Sequence, residues 1–396
     1  MKTTHQKNSI RYYLLLVALL IIFFFVGDFS TLDTQKTAIV MAVGIDRRED
    51  TFIVTSQIAV PQSSKQGKST QTLQLVSRGK TVADAFAEIN AKTGWYPKLV
   101  FCNLLILGEE TTKRDVFEAL DFFLLDEYMP DGCLVTACDG LAKDLLNVNA
   151  LVDASGSIAI QKLLSPHAQR VGRALPVSLR QFASAYFSES ASGYLPIVTT
   201  KPQQESAPTP TATQEQSENA SANGEEQDKP VFSAGETALF VRGKRVGAFT
   251  EEETFAFNVV KSQLKLASYS VAVGDEYCTL SIKNNARKTK LSVGRDGGAN
   301  YQISVTLSAG ILDYSKAPTI GDTADAGDVP DGAFYWAEKR LSSQIESAFE
   351  KCKNLGCDAF GLGADLQKYH QDKKLFASTL LQNVSPLISV RFQGVR

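Results

Sequence analysis

The stretch TAIVMAVGIDRREDTFIVTSQIAV, residues 37–60, holds two runs rich in Val, Ile and Thr on either side of the charged segment Asp46 to Asp50. Each run has the length of a strand, so Thr37 to Ile45 and Thr51 to Val60 are predicted to form a β-hairpin. Beyond it, Thr81 opens a Thr-x-x-Asp cap with Asp84, and Val82, Ala85, Phe86 and Ile89 share one helical face. Leu99 to Leu107 (LVFCNLLIL) is predicted to be a buried strand. Thr112 with Asp115 is predicted to start a second helix, with Val116, Phe117, Leu120, Phe123, Leu124 and Tyr128 as its apolar stripe. Cys133 to Cys138 has strand character, and Leu141 to Asn147 and Ala154 to Leu164 are predicted helices. Strands mixed with helices in this order make the block α+β or mixed α/β.

Two biased segments bracket this block. On its amino side, Tyr12 to Val26 (YYLLLVALLIIFFFV) carries no charge, follows Lys2, Lys7 and Arg11, and is closed by Gly27 and Asp28. Its fifteen residues fall between the length of a secretory hydrophobic region and that of a spanning helix. The following VGDFSTLD lacks small residues at the positions a signal peptidase needs, so residues 12–27 are predicted to be a retained transmembrane anchor or uncleaved signal. A cleaved signal peptide is the alternative. The positive-inside rule leaves residues 1–11 in the cytoplasm and the rest outside. On the carboxy side, Lys201 to Pro230 has alanine as its only apolar side chain except proline and cannot bury enough surface to offset ordering. Residues 199–230 are therefore expected to be a disordered linker between an amino-terminal domain, 34–198, and a carboxy-terminal one, 231–396. An insertion within one domain is the other reading, because loop closure grows slowly in cost with length.

In the second block, Thr237 to Val241 and Arg245 to Phe249 are predicted strands around Gly243-Lys244. Thr250 with Glu253 forms a capping box for a helix bearing Phe255, Val259 and Leu264. Tyr277 to Lys283, Lys288 to Val293 and Tyr301 to Leu312 are predicted to form an antiparallel meander joined by Asn/Gly-containing turns, Asn284-Asn285 falling at the first. A helix from Tyr335 to Lys353 and a strand near Leu387 to Phe392 close the set. The whole is an anchor followed by a multi-domain α+β region with antiparallel sheets backed by helices.

A net charge of −2, from 41 basic and 43 acidic side chains, argues against nucleic acid, which needs a basic excess. There are three histidines, of which His167 and His370 fall outside the membrane, and no metalloprotease, nucleophile-elbow, Walker or dinucleotide motif is present. Asp46 and Asp121 are the carboxylates considered for acid–base work, with exposed turn and helix positions as the plainer reading. The cysteines Cys102, Cys133, Cys138, Cys278, Cys352 and Cys357 are read as buried thiols, with a Cys352–Cys357 disulfide as the alternative and zinc disfavoured by their spacing. No catalytic, metal or cofactor-binding residue is assigned. Lys283, Arg287, Lys288, Lys290 and Arg295 form an all-basic run read as a hairpin tip.

The order of segments resembles the Ger(x)C family, the C subunits of spore germinant receptors. Gly44-Ile45-Asp46 resembles the family's opening strand, Gly79-Lys80-Thr81 its first helix start, and Lys98 to Phe101 through Leu107-Gly108-Glu109-Glu110 its next strand. Leu120 to Asp126 resembles its Leu-Asp-Phe-x-x-Arg-Asp helix. Ala238-Leu239-Phe240, Lys244-x-Val246-Gly247 and Glu251 to Thr254 are similar to the start of its carboxy-terminal domain, and Glu338 to Cys352 with Asp358-Ala359-Phe360-Gly361-Leu362-Gly363 to its closing helix and Asp-x-x-Gly-x-Gly segment. The chain departs where family members carry an acylated cysteine, since none precedes Cys102; it also has Asn103 in place of a frequent His and Leu125 in place of a frequent Arg. The resemblance implies a non-enzymatic subunit in the inner spore membrane, acting with A- and B-type membrane subunits. Asp121, Asp126 and Tyr128, and Lys283, Arg287, Lys288 and Lys290, are its candidate partner surface. A membrane-anchored solute- or cell-wall-binding module is the alternative function.

Overall fold

The computed structural model describes residues 12–21, 37–60, 71–148, 155–201, 231–274, 276–294, 299–315, 332–370 and 376–394. Expectations for residues 1–11, 22–36 and 202–230 lie outside them. A first helix, α1 (residues 12–21), precedes β1 (Thr37–Arg48), β2 (Thr51–Val60), β3 (Gln71–Gly79), α2 (Val82–Thr93), β4 (Tyr96–Lys98) and β5 (Leu104–Leu107). Then come α3 (Glu109–Thr112), α4 (Phe117–Leu125), β6 (Leu134–Cys138), α5 (Ala142–Asn147), α6 (Gly156–Leu163), α7 (Pro166–Val171), β7 (Val177–Ser178), α8 (Leu179–Tyr186) and β8 (Ser192–Lys201). The remainder is β9 (Val231–Val241), β10 (Lys244–Phe249), α9 (Glu251–Lys261), β11 (Ala267–Val273), β12 (Glu276–Val293), β13 (Ala299–Tyr314), α10 (Ala333–Leu355), α11 (Leu362–Tyr369), α12 (Ala377–Asn383) and β14 (Ser385–Gly394).

The hairpin of β1 and β2 forms as expected, with Arg48 opposite Thr51 and Glu49 taking a left-handed φ of 55° in the tight turn. Around it grows a sheet of order β10-β9-β8-β6-β5-β1-β2-β3, with β4 also on β1 and β7 on β6. Its centre is parallel, β1 with β5, β5 with β6 and β6 with β8, which corrects the expectation of antiparallel sheets. Parallel neighbours need long crossovers, and α2 and the α3–α4 pair supply them. The edge strand β3, whose alternation of polar and apolar residues is weak, is an addition to the predicted strands; it pairs along β2 from Val60 with Gln71 to Phe52 with Gly79.

The strands after the polar run join this same sheet. β9 pairs antiparallel with β8 from Lys201 opposite Val231 to Ser192 opposite Val241, and β10 pairs with β9. Residues 202–230 thus connect two neighbouring strands, and the first sheet ends at Phe249 and not before the run. The insertion is tolerated because extending a loop adds little closure entropy.

The second sheet has order β11-β12-β13-β14, its last pair parallel. Here β12 is one 18-residue strand where two strands and a turn were expected. The Asn284-Asn285 pair that suggested the turn serves otherwise. Asn285 is buried; its Oδ1 accepts the Leu264 N–H at 2.7 Å and its Nδ2 donates to the Val259 and Ser262 carbonyls at 2.8 and 3.0 Å, satisfying the end of α9. The long helix α10 buries Leu341, Ile345, Phe349 and Cys352 as its spacing predicts. Leu239 and Phe249 of the first sheet, α9, α10 and the second sheet's Tyr301, Ile303 and Leu307 form one continuous core, so the two sheets share an interior.

The helix starts predicted at Thr81 and Thr250 form. Thr81 Oγ1 accepts the Asp84 N–H at 3.1 Å, and Val82, Ala85, Phe86 and Ile89 are buried. Thr250 and Glu253 form the reciprocal capping box of α9. The predicted Leu99–Leu107 strand is shorter: β5 starts at Leu104, after a turn closed by the Cys102 N–H to the Leu99 carbonyl. Thr112 does not begin a helix; its hydroxyl donates to the Glu109 carbonyl at the end of α3, and Asp115 instead accepts the Phe117 N–H at the start of α4.

Candidate functional site

At the carboxy ends of the parallel strands β1, β5 and β6, where open α/β sheets usually bind ligands, the motif residues meet. Asp46 is 2% exposed. Its Oδ1 accepts the Ala142 N–H at 2.7 Å and its Oδ2 the Lys143 N–H at 3.1 Å, closing the amino end of α5. Burial raises its pKa and these two amides pull it back. Gly108 donates its N–H to the Ile45 carbonyl at 3.0 Å, and a Cβ there would stand 2.0 Å from Asp46 Oδ1. The Gly-Ile-Asp and Leu-Gly-Glu-Glu segments are therefore two halves of one joint. Beside it a cavity of about 380 Å³ is lined by Glu109, Lys113, Asp139 and Arg245 among others. Arg245 Nη1 pairs with Asp139 Oδ1 at 2.7 Å, and Lys113 pairs with Glu109 at 3.0 Å.

A second crevice, of about 400 Å³, lies between the β8 and β9 end of the first sheet and the segments that follow α10 and begin α12, lined by residues including Glu189, Arg242, Asp358 and Phe376. Asp358 uses both oxygens: Oδ1 accepts from Gly361 and Leu362 at 2.9 and 2.8 Å, Oδ2 from Gly363 at 2.7 Å. The Asp-x-x-Gly-x-Gly segment is thus the cap of α11, with Gly361 at φ 83° where only glycine is unstrained. Burial raises the Asp358 pKa despite those amides, and burial lowers that of Lys261, which Asp358 and Asp365 oppose. Lys261 Nζ donates to the Phe360 carbonyl at 2.9 Å, and Glu189 Oε1 accepts the Ala377 N–H at 3.3 Å. The carboxylates Asp46, Asp358 and Glu189 already hold backbone N–H groups.

The residues predicted as partner surface are separated in space into two groups. Asp121 is exposed on α4; Asp126 follows the helix and accepts the Tyr128 N–H at 2.9 Å, and the exposed Tyr128 ring lies 4.1 Å from Lys98 Nζ. Lys283, Arg287, Lys288 and Lys290 are exposed along the body of β12, a strand and not the expected hairpin tip; Arg295 lies outside the described residues. Asp46 and Asp121 do not form an acid–base pair, since the first is spent on α5 and the second is at the surface. All six cysteines are free and buried, which sets aside the Cys352–Cys357 disulfide. Burial pushes Cys138 and Cys352 well up and Cys357 up to about 12, so they are thiols at neutral pH. His370 Nε2 lies 3.1 Å from the Leu291 carbonyl and His167 is exposed. Among the described residues no cluster of His, Cys, Asp or Glu could hold a metal. Sequence reasoning missed the roles of Gly108 and Asn285, whose partners lie 62 residues (Gly108 to Asp46) and 21 residues (Asn285 to Leu264) away in the chain.

Residues 31–200 match the family model described as the spore germination protein N-terminal domain, and residues 235–379 the one described as spore germination B3/GerAC like, C-terminal. In that order, on a two-sheet α+β fold, they define a spore germination protein. The chain belongs to the Ger(x)C family, whose members are C subunits of germinant receptors. A solved structure titled as that of the GerBC protein aligns with a TM-score of 0.52 at 15% identity, covering 89% of this chain and 97% of that one, a likeness of fold. The comparison with curated proteins returns no match.

Proposed function

We propose that this chain is a non-enzymatic C subunit of a germinant receptor in the inner spore membrane, coupling nutrient sensing to germination by assembly with A- and B-type membrane subunits. The observation that carries the reading is the pair of family models in order over both parts of the chain. The motif carboxylates support it, because Asp46 and Asp358 act as caps that fix geometry. A solute-binding module would need polar groups free to converge on a ligand, whereas the carboxylates Glu189 and Asp358 of the 400 Å³ crevice are taken up by backbone amides.

In this reading residues 12–27 replace the acylated cysteine as anchor. Among the described residues no helix is long and apolar enough to cross a membrane, and the described part of the run is α1. Its Leu14, Leu15, Leu16 and Leu19 are exposed, and a helix apolar on every side is stable when lipid or protein surrounds it. The partner surface is proposed as Asp121, Asp126 and Tyr128 at α4 together with the basic residues of β12. The test is co-purification of the full-length chain from spore membranes with its polytopic subunits. Charge reversal at Lys288 and Lys290 is expected to weaken the complex, and a chain that purifies alone and binds a nutrient by itself overturns the assignment.

A further inference from the structure

We propose that the end of the first sheet at which the chain enters β1 rests on the lipid surface through an exposed patch of Trp95, Tyr96, Val100, Phe101 and Leu125; this rests on the reading of residues 12–27 as the membrane anchor. β1, β4, β5 and β6 run parallel, so their amino ends, and the segments leading into them, lie at one end of the sheet. Tyr96 sits opposite Thr37 at the very start of β1. The turn between β4 and β5 buries Leu99 and Cys102 but turns Val100 and Phe101 outward, Phe101 being 56% exposed. Leu125, at the foot of α4 on the way to β6, is 77% exposed. Lys98 over the Tyr128 ring ties the β4 segment to the lead-in of β6.

Clustered side chains of this size ordinarily mark a surface that something covers. The chain itself says what is near. Ten residues, 27–36, separate the apolar run from Thr37, a reach of at most about 35 Å when fully extended. The patch begins beside the point where that tether arrives, at Tyr96 opposite Thr37, and extends toward the lead-in of β6; Trp and Tyr are the side chains that favour the headgroup level, apolar in body and polar at one edge. Charge around the patch is balanced, Asp126 and Glu127 standing near Lys98 over the Tyr128 ring and Asp131 pairing with Arg180 at 2.5 Å, so its affinity comes from the aromatic and aliphatic groups and not from attraction to anionic headgroups. Docked in this way, the parallel strands stand with their carboxy ends and the Asp46 joint directed away from the bilayer.

The chain has two tryptophans, so Trp336→Phe leaves Trp95 as the only reporter. The full-length variant is reconstituted into phosphatidylethanolamine–phosphatidylglycerol vesicles with and without bromine on the acyl chains. Carbonate-resistant association with the vesicles tests the anchor, and bromine quenching of Trp95 tests the patch. The expected result is association together with loss of most Trp95 emission, unchanged when the phosphatidylglycerol fraction is varied and reduced by Phe101→Ser. Association without quenching overturns the docking proposal and leaves the anchor standing. Failure to associate overturns both. Quenching that vanishes when the polytopic subunits are co-reconstituted assigns the patch to a protein contact and overturns it too.

Discussion

Replacing Gly108 by alanine is expected to break the joint between β1 and the segment that follows β5, and only because Asp46 is there. Gly108 has φ −65° and ψ 158°, which any L-residue adopts, so the backbone does not demand glycine. The space does, because the added Cβ would lie 2.0 Å from Asp46 Oδ1 while its nearest other neighbour, the Gly140 carbonyl, is at 3.4 Å. To admit the methyl the carboxylate must leave the Ala142 and Lys143 amides. Hydrogen bonds to a charged group contribute roughly 1.5–3 kcal/mol each, so Gly108→Ala should cost about 3–5 kcal/mol. In an Asp46→Ala background the same change meets an ordinary van der Waals distance and should be neutral or stabilising by about 0.5 kcal/mol, through the stiffer unfolded chain. A double-mutant cycle by urea unfolding of the full-length protein in detergent, with hydrogen exchange at the Ala142 and Lys143 amides as a local readout, measures the coupling. Equal costs of Gly108→Ala in the two backgrounds, or a neutral effect in the natural protein, would refute the reasoning.

Further outcomes follow from the same geometry. Asn285→Leu should destabilise by about 2–4 kcal/mol, since it leaves the Leu264 amide and the Val259 and Ser262 carbonyls unpaired; thermal unfolding checks this. Replacing residues 202–230 by a two-residue turn should preserve the fold and raise stability by about 2 kcal/mol, because Lys201 and Val231 already face each other and the shorter loop costs less to close. Burial, the largest influence on Glu253, is outweighed by the Lys351 ammonium, the Thr250 amide and the Ser347 hydroxyl, which hold its pKa below the ordinary value. A carboxylate shifted downward contributes stability above its unfolded pKa of about 4.3 and loses it as pH falls through the folded value, so Glu253→Gln should lower the melting temperature at pH 7 and matter progressively less toward pH 3. The six cysteines should react with an aromatic disulfide reagent only after unfolding, since all are buried and free.

The elements that the sequence made legible are those whose evidence lies within one helical turn or one strand. Thr81 with Asp84 and Thr250 with Glu253 are caps spanning four residues, and the stripe on α10 repeats within its own helix. The candidate site was legible as motifs and illegible as chemistry. Asp46 and Asp358 look alike in sequence to exposed turn carboxylates, and only the amides they hold, from residues 96 and 97 positions away for Asp46 and from the following turn for Asp358, identify them as caps. Asn284-Asn285 carried a turn composition, but a tertiary demand, the open end of α9, outweighed it.

By itself the sequence determined that the chain has an apolar segment without a polar face, a polar segment unable to form a core, and helices and strands enough for an α+β protein, since periodicity and composition are local properties. Tertiary structure decided which strands are neighbours: that β9 and β10 cross the polar run to complete the first sheet, that its centre is parallel, and that the two sheets share one core. Alternation along a strand reveals which face is buried but not which strand lies beside it. That choice is made by contacts between residues far apart in the chain, which no single window of sequence contains.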